Sequence, residues 1–277
     1  MSSNQAVGVF DSGMGGLSVL RELKRQLPNE NYLYLGDTGR NPYGPKSAET
    51  VAGYTLEAAA FFAEVEVKLM VIACNTAVVA ALEATEKAFP RMPIIGVVEP
   101  GCLEAVKFSK SGNIALIATM GTVKSGVHAA RMKELRRDAT ITDIPAPILV
   151  TLVEEGWLDG KVPDAAAERY LAAAFQAPAD KRPDCLLLAC THFPLIEASI
   201  RKAVGEETIL IDPSALTAQY VQRALRERGL LRTVDSPASV RYCVTADAAR
   251  FAQVGSLFLQ ERLDADTVEL VSLGGIF

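Results

Sequence analysis

The chain has 277 residues, of which 49% are hydrophobic and 22% are charged, and its formal net charge at pH 7 is -5. This length and apolar content suffice for one large globular domain or two ordinary ones. Lys and Arg are scattered, which argues against nucleic acid as the primary partner, because phosphate binding requires concentrated positive charge.

The first residues lack the charged and apolar regions of a signal peptide, and no apolar run reaches the roughly 18 residues that a membrane helix needs. The five cysteines are widely spaced without a CxxC pair, and the two histidines, His128 and His192, lie far apart. We therefore predict a cytoplasmic protein with free thiols, no membrane partner and no metal site.

The first part of the chain alternates apolar runs, rich in β-branched residues, with helical patterns. Predicted helices end before Pro28, begin near Ser47 and end at Pro90. This is the βαβ rhythm of a parallel sheet that helices cover on both faces. The predicted strands cover residues 7–10, 32–35, 70–73 and 94–98.

After Pro100 the same rhythm restarts, and a further helix near 216–228 precedes strands near 240–244 and 268–272. We predict two pseudo-symmetric α/β domains with mainly parallel sheets and the active site in the cleft between them. Residues 1–99 would form the first lobe, residues 100–212 the second lobe, and residues 213–277 a segment that packs back on the first lobe. The strands of the second lobe are predicted at 114–118, 141–144, 186–189 and 209–212.

A cysteine follows a predicted strand at a matching place in each half. Residues 73–76 read Ala-Cys-Asn-Thr and residues 189–192 read Ala-Cys-Thr-His. Ligands usually bind at the carboxyl ends of strands in open α/β sheets, and a nearby helix N-terminus would favour a thiolate. A single cysteine there is more often a packed residue, but the matched pair Cys74 and Cys190 favours chemistry. The remaining cysteines are assigned to the interior: Cys102, Cys185 and Cys243.

Three ionisable residues near these positions have two interpretations each. His192 is either a structural residue or, because the unperturbed pKa of histidine lies near neutrality, an acid or a base beside Cys190. Asp11 either caps the following helix or takes part in the chemistry. Glu154, next to Glu155, is a solvated helix end unless a partner brings it to the site.

Two glycine-containing loops could approach a small ligand. Residues 13–16 read Gly-Met-Gly-Gly, which fits neither GxGxxG nor a P-loop, so a tight turn near a small ligand is expected. Residues 37–44 form either a plain surface turn or a loop in which Tyr43 and the amide of Gly44 close over a carboxylate.

Taken together, these motifs resemble the glutamate racemase family. The resemblance implies two pseudo-symmetric α/β domains that enclose glutamate, no pyridoxal phosphate or other cofactor, no metal, and a supply of D-glutamate for peptidoglycan. The resemblance is also compatible with a homodimer. The matching segments run in family order at 10–18, 37–44, 73–77, 96–100, 152–156 and 190–195.

The resemblance also implies a role for individual residues. Cys74 and Cys190 would be the proton donor and acceptor on either side of the α-carbon, because inversion without a cofactor requires two flanking acid-base groups. Asp11 would support Cys74, while His192 and Glu154 would support Cys190. The expected substrate-binding residues are Asp11, Ser12, Tyr43, Gly44, Asn75, Thr76, Thr191 and His192, with Thr119 and Thr122 as further candidates.

Three positions depart from the family pattern. Ala146 stands where the family often has cysteine, and His128 stands where it often has tyrosine. Residues 39–41 read Gly-Arg-Asn in a loop that is usually Ala-Arg followed by an apolar residue. None of these departures changes Cys74 or Cys190.

Other functions remain open at this point. A related racemase could act on aspartate or another small carboxylate. A hydrolase could use Cys190 and His192, although Cys74 would then have no role. A catalytically silent regulator could keep the binding cleft without the reaction.

Overall fold

The computed structural model describes residues 2–233 and 237–274, and the chain divides into two compact units. The first unit is Met1–Val97 with Ser214–Phe277, and the second is Val98–Pro213. Each unit has its own sheet, and all strand pairings among the described residues are parallel. The predicted α/β fold with mainly parallel sheets is confirmed.

The strands in the described part of the chain are β1 (Val7–Asp11), β2 (Tyr32–Gly36), β3 (Leu69–Ile72), β4 (Ile94–Gly96), β5 (Asn113–Ala118), β6 (Thr140–Pro145), β7 (Cys185–Ala189), β8 (Ile209–Ile211), β9 (Val240–Val244) and β10 (Val268–Leu270).

The α-helices of the same ranges are α1 (Leu17–Gln26), α2 (Ala48–Glu64), α3 (Asn75–Ala88), α4 (Val98–Phe108), α5 (Met120–Ser125), α6 (Val127–Leu135), α7 (Pro147–Glu154), α8 (Lys161–Phe175), α9 (Glu197–Val204), α10 (Ser214–Glu227) and α11 (Ala248–Leu259). None of them is both long and apolar enough to cross a membrane.

The two sheets share an inner strand order. The first is ordered β10-β9-β2-β1-β3-β4 and the second β6-β5-β7-β8. In each unit the first strand lies between the second and the third, and the fourth lies outside the third. Strands β3 and β7, which precede Cys74 and Cys190, therefore occupy equivalent places in their sheets.

The strands form where the sequence is apolar without alternation. β1, β2 and β3 are buried at every position, as expected for strands covered on both faces. The covering helix α1 buries Leu17, Leu20 and Leu23, which share one face. Ser47 caps α2 by accepting a hydrogen bond from the amide of Thr50.

The later part of the first unit completes its sheet. β9 pairs with β2, with Val240 opposite Tyr32, and β10 pairs with β9. Helices α10 and α11 both pack against α1.

One predicted strand is too long. The fourth run was expected to extend through residue 98, but β4 ends at Gly96 and α4 begins at Val98. Pro100 lies in the first turn of α4, where a missing amide hydrogen breaks no helical hydrogen bond.

Candidate active site

Several predicted site residues of the first unit lie at the carboxyl edge of its sheet. Because the strands are parallel, the ends of β1, β2 and β3 meet at this edge. The ends of these strands lead into the segments that carry Asp11 and Ser12, Tyr43 and Gly44, and Cys74, Asn75 and Thr76.

Cys74 lies at the boundary between β3 and α3. Its thiol donates to the hydroxyl of Ser12, with 3.5 Å between Sγ and Oγ. Cys74 is also the N-cap residue of the 14-residue helix α3. The positive end of that helix dipole favours a thiolate. Asn75 and Thr76 form the first turn of α3 and are buried.

Asp11 is fully buried at the end of β1, and its Oδ2 accepts from the amide of Gly13 at 2.9 Å. Its interpretation as a helix cap is wrong, because the N-cap of α1 is Gly16. A Cβ on Gly16 would lie 2.6 Å from the Cβ of Asp11 and 3.0 Å from the Cβ of Ala73. Glycine is therefore required where α1 approaches the two strand ends.

The loop of residues 37–44 is organised by Asp37, whose side chain is fully buried. Its Oδ2 accepts from the hydroxyl of Tyr43 and from Nε of Arg40, at 2.7 Å for the latter. Its Oδ1 accepts from the hydroxyl of Thr245 at 2.9 Å. Sequence reasoning gave Asp37 and Thr245 no role.

The Tyr43 side chain faces inward. It is buried next to the ring of Tyr54, with 5.6 Å between the ring centroids. Burial, together with the neighbouring carboxylate of Asp37, raises the pKa of Tyr43 well above its ordinary value. Its hydroxyl therefore remains protonated and donates to Asp37.

In the second unit the structure brings together Cys190, His192 and Glu154. Cys190 directly follows β7, and its Sγ lies 3.7 Å from Nδ1 of His192. The other ring nitrogen, Nε2, lies 3.3 Å from Oε1 of Glu154, the final residue of α7. The hydroxyl of Thr191 lies 3.4 Å from Nδ1 of His192. Glu154 thus contacts His192, whereas Glu155 is exposed.

The charge state of His192 follows from its neighbours. Burial disfavours the imidazolium, but the hydrogen bonds with Cys190 and Glu154 outweigh burial and raise the pKa of His192 to about 10. At neutral pH the ring is therefore protonated.

The five thiols differ in accessibility. Cys74 is 6% exposed and Cys190 is 7% exposed, whereas Cys102, Cys185 and Cys243 are 0% exposed. Burial, with nearby carboxylates, raises the pKa of Cys102 and of Cys185 to about 12 and that of Cys243 to about 11. These three thiols therefore stay protonated at neutral pH.

Thr119 and Thr122 lie at the start of α5, and the departures His128 and Ala146 are buried. Thr119 is the N-cap of α5, and its hydroxyl lies 3.1 Å from that of Thr122. Burial lowers the pKa of His128 to about 4, so its ring is neutral. Ala146 is buried at the N-cap of α7. Within residues 2–233 and 237–274, no group of three or more His, Cys, Asp or Glu side chains is arranged to hold a metal ion.

Known proteins are similar to this chain over nearly its whole length. The model of the Asp/Glu/hydantoin racemase family matches residues 7–221. A glutamate racemase of Geobacter metallireducens is 40% identical over 94% of this chain and 94% of its own. One of Enterococcus faecalis is 38% identical over 98% of each chain. The crystal structure of glutamate racemase from Francisella tularensis in complex with D-glutamate matches with a TM-score of 0.90 and 33% identity, over 98% of each chain.

Proposed function

This chain belongs to the Asp/Glu/hydantoin racemase family and is an amino-acid racemase, and we propose that it interconverts L-glutamate and D-glutamate by proton transfer between Cys74 and Cys190. The observation that carries the proposal is the equivalence of the two cysteines. Each follows the third strand of its sheet, and the sheets share one inner strand order. The 34–41% identity of glutamate racemases to this chain supports glutamate as the substrate.

In the proposed reaction one cysteine is a thiolate and the other a thiol. The thiolate takes the α-proton, forming an S–H bond while the electron pair of the C–H bond remains on the substrate. The opposite thiol then gives its proton to the other face of the α-carbon, which inverts the centre and leaves a thiolate behind. The two cysteines exchange roles for the reverse reaction, and no electrons are lost or gained.

The two thiolates would be stabilised by different means. The N-terminus of α3 and the hydroxyl of Ser12 would stabilise the Cys74 thiolate, and Asp11 would support Cys74 in acid-base catalysis. Protonated His192, which contacts Glu154, would stabilise the Cys190 thiolate. The α-proton is far less acidic than a thiol, so stabilisation of the carbanion-like transition state must lower most of the barrier. We assign this role to Asn75, Thr76 and Thr191.

We infer that the side-chain carboxylate of glutamate binds to backbone amides near Tyr43 and Gly44. The Tyr43 hydroxyl donates to Asp37, so we assign the contact with the carboxylate to a main-chain amide such as that of Gly44. The ring of Tyr43 would hold the shape of this binding loop.

The experiment that tests the function is incubation of the purified protein with L-glutamate or L-aspartate in D2O. Loss of optical rotation with entry of deuterium at the α-carbon of glutamate is expected. Faster racemisation of aspartate would identify a different substrate, and release of ammonia from an amide would favour the Cys190 hydrolase. Binding of D-glutamate without deuterium entry would identify a silent regulator.

Other parts of the biological role are inferences of the same kind. We place the protein in the cytoplasm because all five cysteines are free. We further infer that its D-glutamate is used for peptidoglycan, as the family resemblance implies. The family resemblance is also compatible with assembly of this chain into a homodimer.

A further inference from the structure

The loop of residues 37–44 is attached to a segment far away in sequence. Thr245 and Ala246 directly follow β9, and five hydrogen bonds connect them to residues 36–39. The amide of Thr245 donates to the carbonyl of Gly36 at 3.1 Å, and the amide of Gly39 donates to the Thr245 hydroxyl at 2.8 Å. The amide of Ala246 donates to the hydroxyl of Thr38 at 3.0 Å, and that hydroxyl donates to the carbonyl of Ala246.

The Thr245 hydroxyl has two partners at once. It accepts from the amide of Gly39 and donates to Oδ1 of Asp37 at 2.9 Å. The other carboxylate oxygen of Asp37, Oδ2, accepts hydrogen bonds from both Arg40 and Tyr43. A carboxylate bound through one oxygen can still turn about its side-chain torsion, and a second bond to the other oxygen fixes its orientation. The hydroxyl of Thr245 thus holds the carboxylate oxygen of Asp37 that Arg40 and Tyr43 do not contact.

Gly39 fits this arrangement closely. A Cβ at Gly39 would lie 3.2 Å from Oγ1 of Thr245 and 3.4 Å from the Cβ of Ala246. The glycine lets the backbone approach the Thr245 hydroxyl without pushing it away from Asp37. Thr245 lies beyond residues 7–221, which the family model matches.

From this geometry we propose that Thr245 is a positioning residue for substrate binding. Its hydroxyl orients Asp37, Asp37 orients Tyr43, and the loop then presents its backbone amides to the side-chain carboxylate of the substrate. The inference rests on the proposed function. It deepens that function by extending the substrate-binding apparatus to a residue after β9.

This role predicts a specific kinetic effect. A contact with the distal carboxylate is equally strong in the ground state and the transition state, so its loss raises KM and leaves kcat nearly unchanged. Thr245→Val keeps the side-chain shape and removes both hydrogen bonds. We expect its KM for L-glutamate and D-glutamate to rise roughly fivefold to tenfold, with kcat within about twofold of the wild-type value.

The conservative variant and a matched control separate positioning from general stability. Thr245→Ser keeps the hydroxyl, and its KM should stay within about twofold of the wild-type value. Thr85→Val also removes a buried hydroxyl from the first unit, one that donates to the carbonyl of Ala81 at 2.7 Å. This control should lower the melting temperature without changing KM.

Polarimetric kinetics on the folded variants decide the question. The inference is overturned if Thr245→Val keeps the wild-type KM, if Thr245→Ser behaves like the valine variant, or if Thr85→Val raises KM equally. Thr38→Val removes the neighbouring bonds to Ala246 and should raise KM in the same way, which provides a second test if Thr245→Val does not fold. A wild-type protein that does not racemise glutamate would refute the proposed function instead.

Discussion

The Sγ atom of Cys190 lies 3.7 Å from Nδ1 of His192, and Nε2 of the same ring lies 3.3 Å from Glu154. Cys74 has no histidine beside it in the described part of its unit; it lies at the N-terminus of α3, next to Ser12. One thiolate would thus be stabilised by a titratable cation and the other by fixed dipoles. The pH dependence of the reaction should come largely from the Cys190 side.

Replacing either cysteine tests the two-base mechanism directly. Cys74→Ser and Cys190→Ser should each lower racemisation by at least roughly 100-fold, because a serine hydroxyl does not supply the proton transfer of a thiol. Each variant should still bind a glutamate analogue. In D2O each should exchange the α-proton of one enantiomer only, and the enantiomer should differ between the two variants.

Cys102→Ser is the matched control for this experiment. Its thiol is fully buried and takes no part in the proposed reaction, so its racemase activity should equal that of the wild type. Full racemase activity in either Cys74→Ser or Cys190→Ser would refute the mechanism in which these two cysteines are the acid-base groups.

Glu154→Gln should change the pH profile in a defined direction. The hydrogen bonds with Cys190 and Glu154 raise the pKa of His192 to about 10. Loss of the Glu154 charge lowers that pKa, so the ring becomes neutral at a lower pH. The alkaline fall of kcat/KM should therefore begin at a lower pH, with an overall loss of about tenfold near neutrality.

The measurement is kcat/KM for L-glutamate between pH 6 and pH 11. The amino group of the substrate titrates in the same range, but it does so equally for both proteins. Glu155→Gln, at the exposed neighbouring position, should keep the wild-type profile. An unchanged alkaline limb in Glu154→Gln would show that His192 does not depend on this carboxylate.

The charge of His192 should also affect the folding of the second unit. Its pKa is about 10 when folded and about 6.5 when unfolded, so the folded state binds the proton more tightly. This contribution to the free energy of unfolding is full below about pH 6.5 and is lost as pH rises toward 10. His192→Asn should therefore show a smaller alkaline loss of urea stability than the wild type; equal losses would contradict this.

Gly16→Ala should impair catalysis by displacing Asp11. The added Cβ would lie 2.6 Å from the Cβ of Asp11, an atom fixed by the backbone of β1. We expect kcat to fall by roughly tenfold or more, since misplacement by about 1 Å is costly in an active site. Gly53→Ala is the control: it has open space inside α2 and should keep kcat while slightly stabilising the protein. Equal kcat in both variants would argue against this packing constraint.

Lys68→Met should destabilise the first unit without touching the reaction. Lys68 is fully buried, pairs with Glu30 and donates to the carbonyl of Leu230 at 3.0 Å. Its removal leaves the Glu30 carboxylate buried without its cation, which costs about 3–5 kcal/mol in comparable cases. Urea unfolding measures this loss. Lys87→Met, which breaks an exposed pair with Glu83, should have little effect; similar midpoints for both variants would contradict the argument.

The strands were largely predictable, because parallel strands covered on both faces appear as continuous apolar runs. The exception at residues 94–98 arose because the apolar run continues through Val97 and Val98, whereas α4 already begins at Val98 with Pro100 in its first turn. Helix α8 was not predicted, although its buried residues Pro163, Ala167 and Leu171 are spaced four apart. That spacing was available as a signal.

The structure also brings together Cys190, His192 and Glu154, which the resemblance had associated. Their roles remain predictions. Asp37 and Thr245 could not be associated by the same route, because 208 residues separate them and neither lies in a periodic pattern that indicates a partner. Their relation depends on β9 pairing with β2, which only the folded sheet reveals.

That pairing also orders events during synthesis. The second unit is contiguous, Val98–Pro213, whereas the first unit resumes only at Ser214. A ribosome therefore completes the second unit while β2 still has an open edge awaiting β9. During this interval the unpaired edge of β2 is a site for association with other chains. Translation that stops before Val240 would leave a nascent chain that contains Cys74 and Cys190. This chain would lack β9, which pairs with β2, and Thr245, which contacts the binding loop through Asp37.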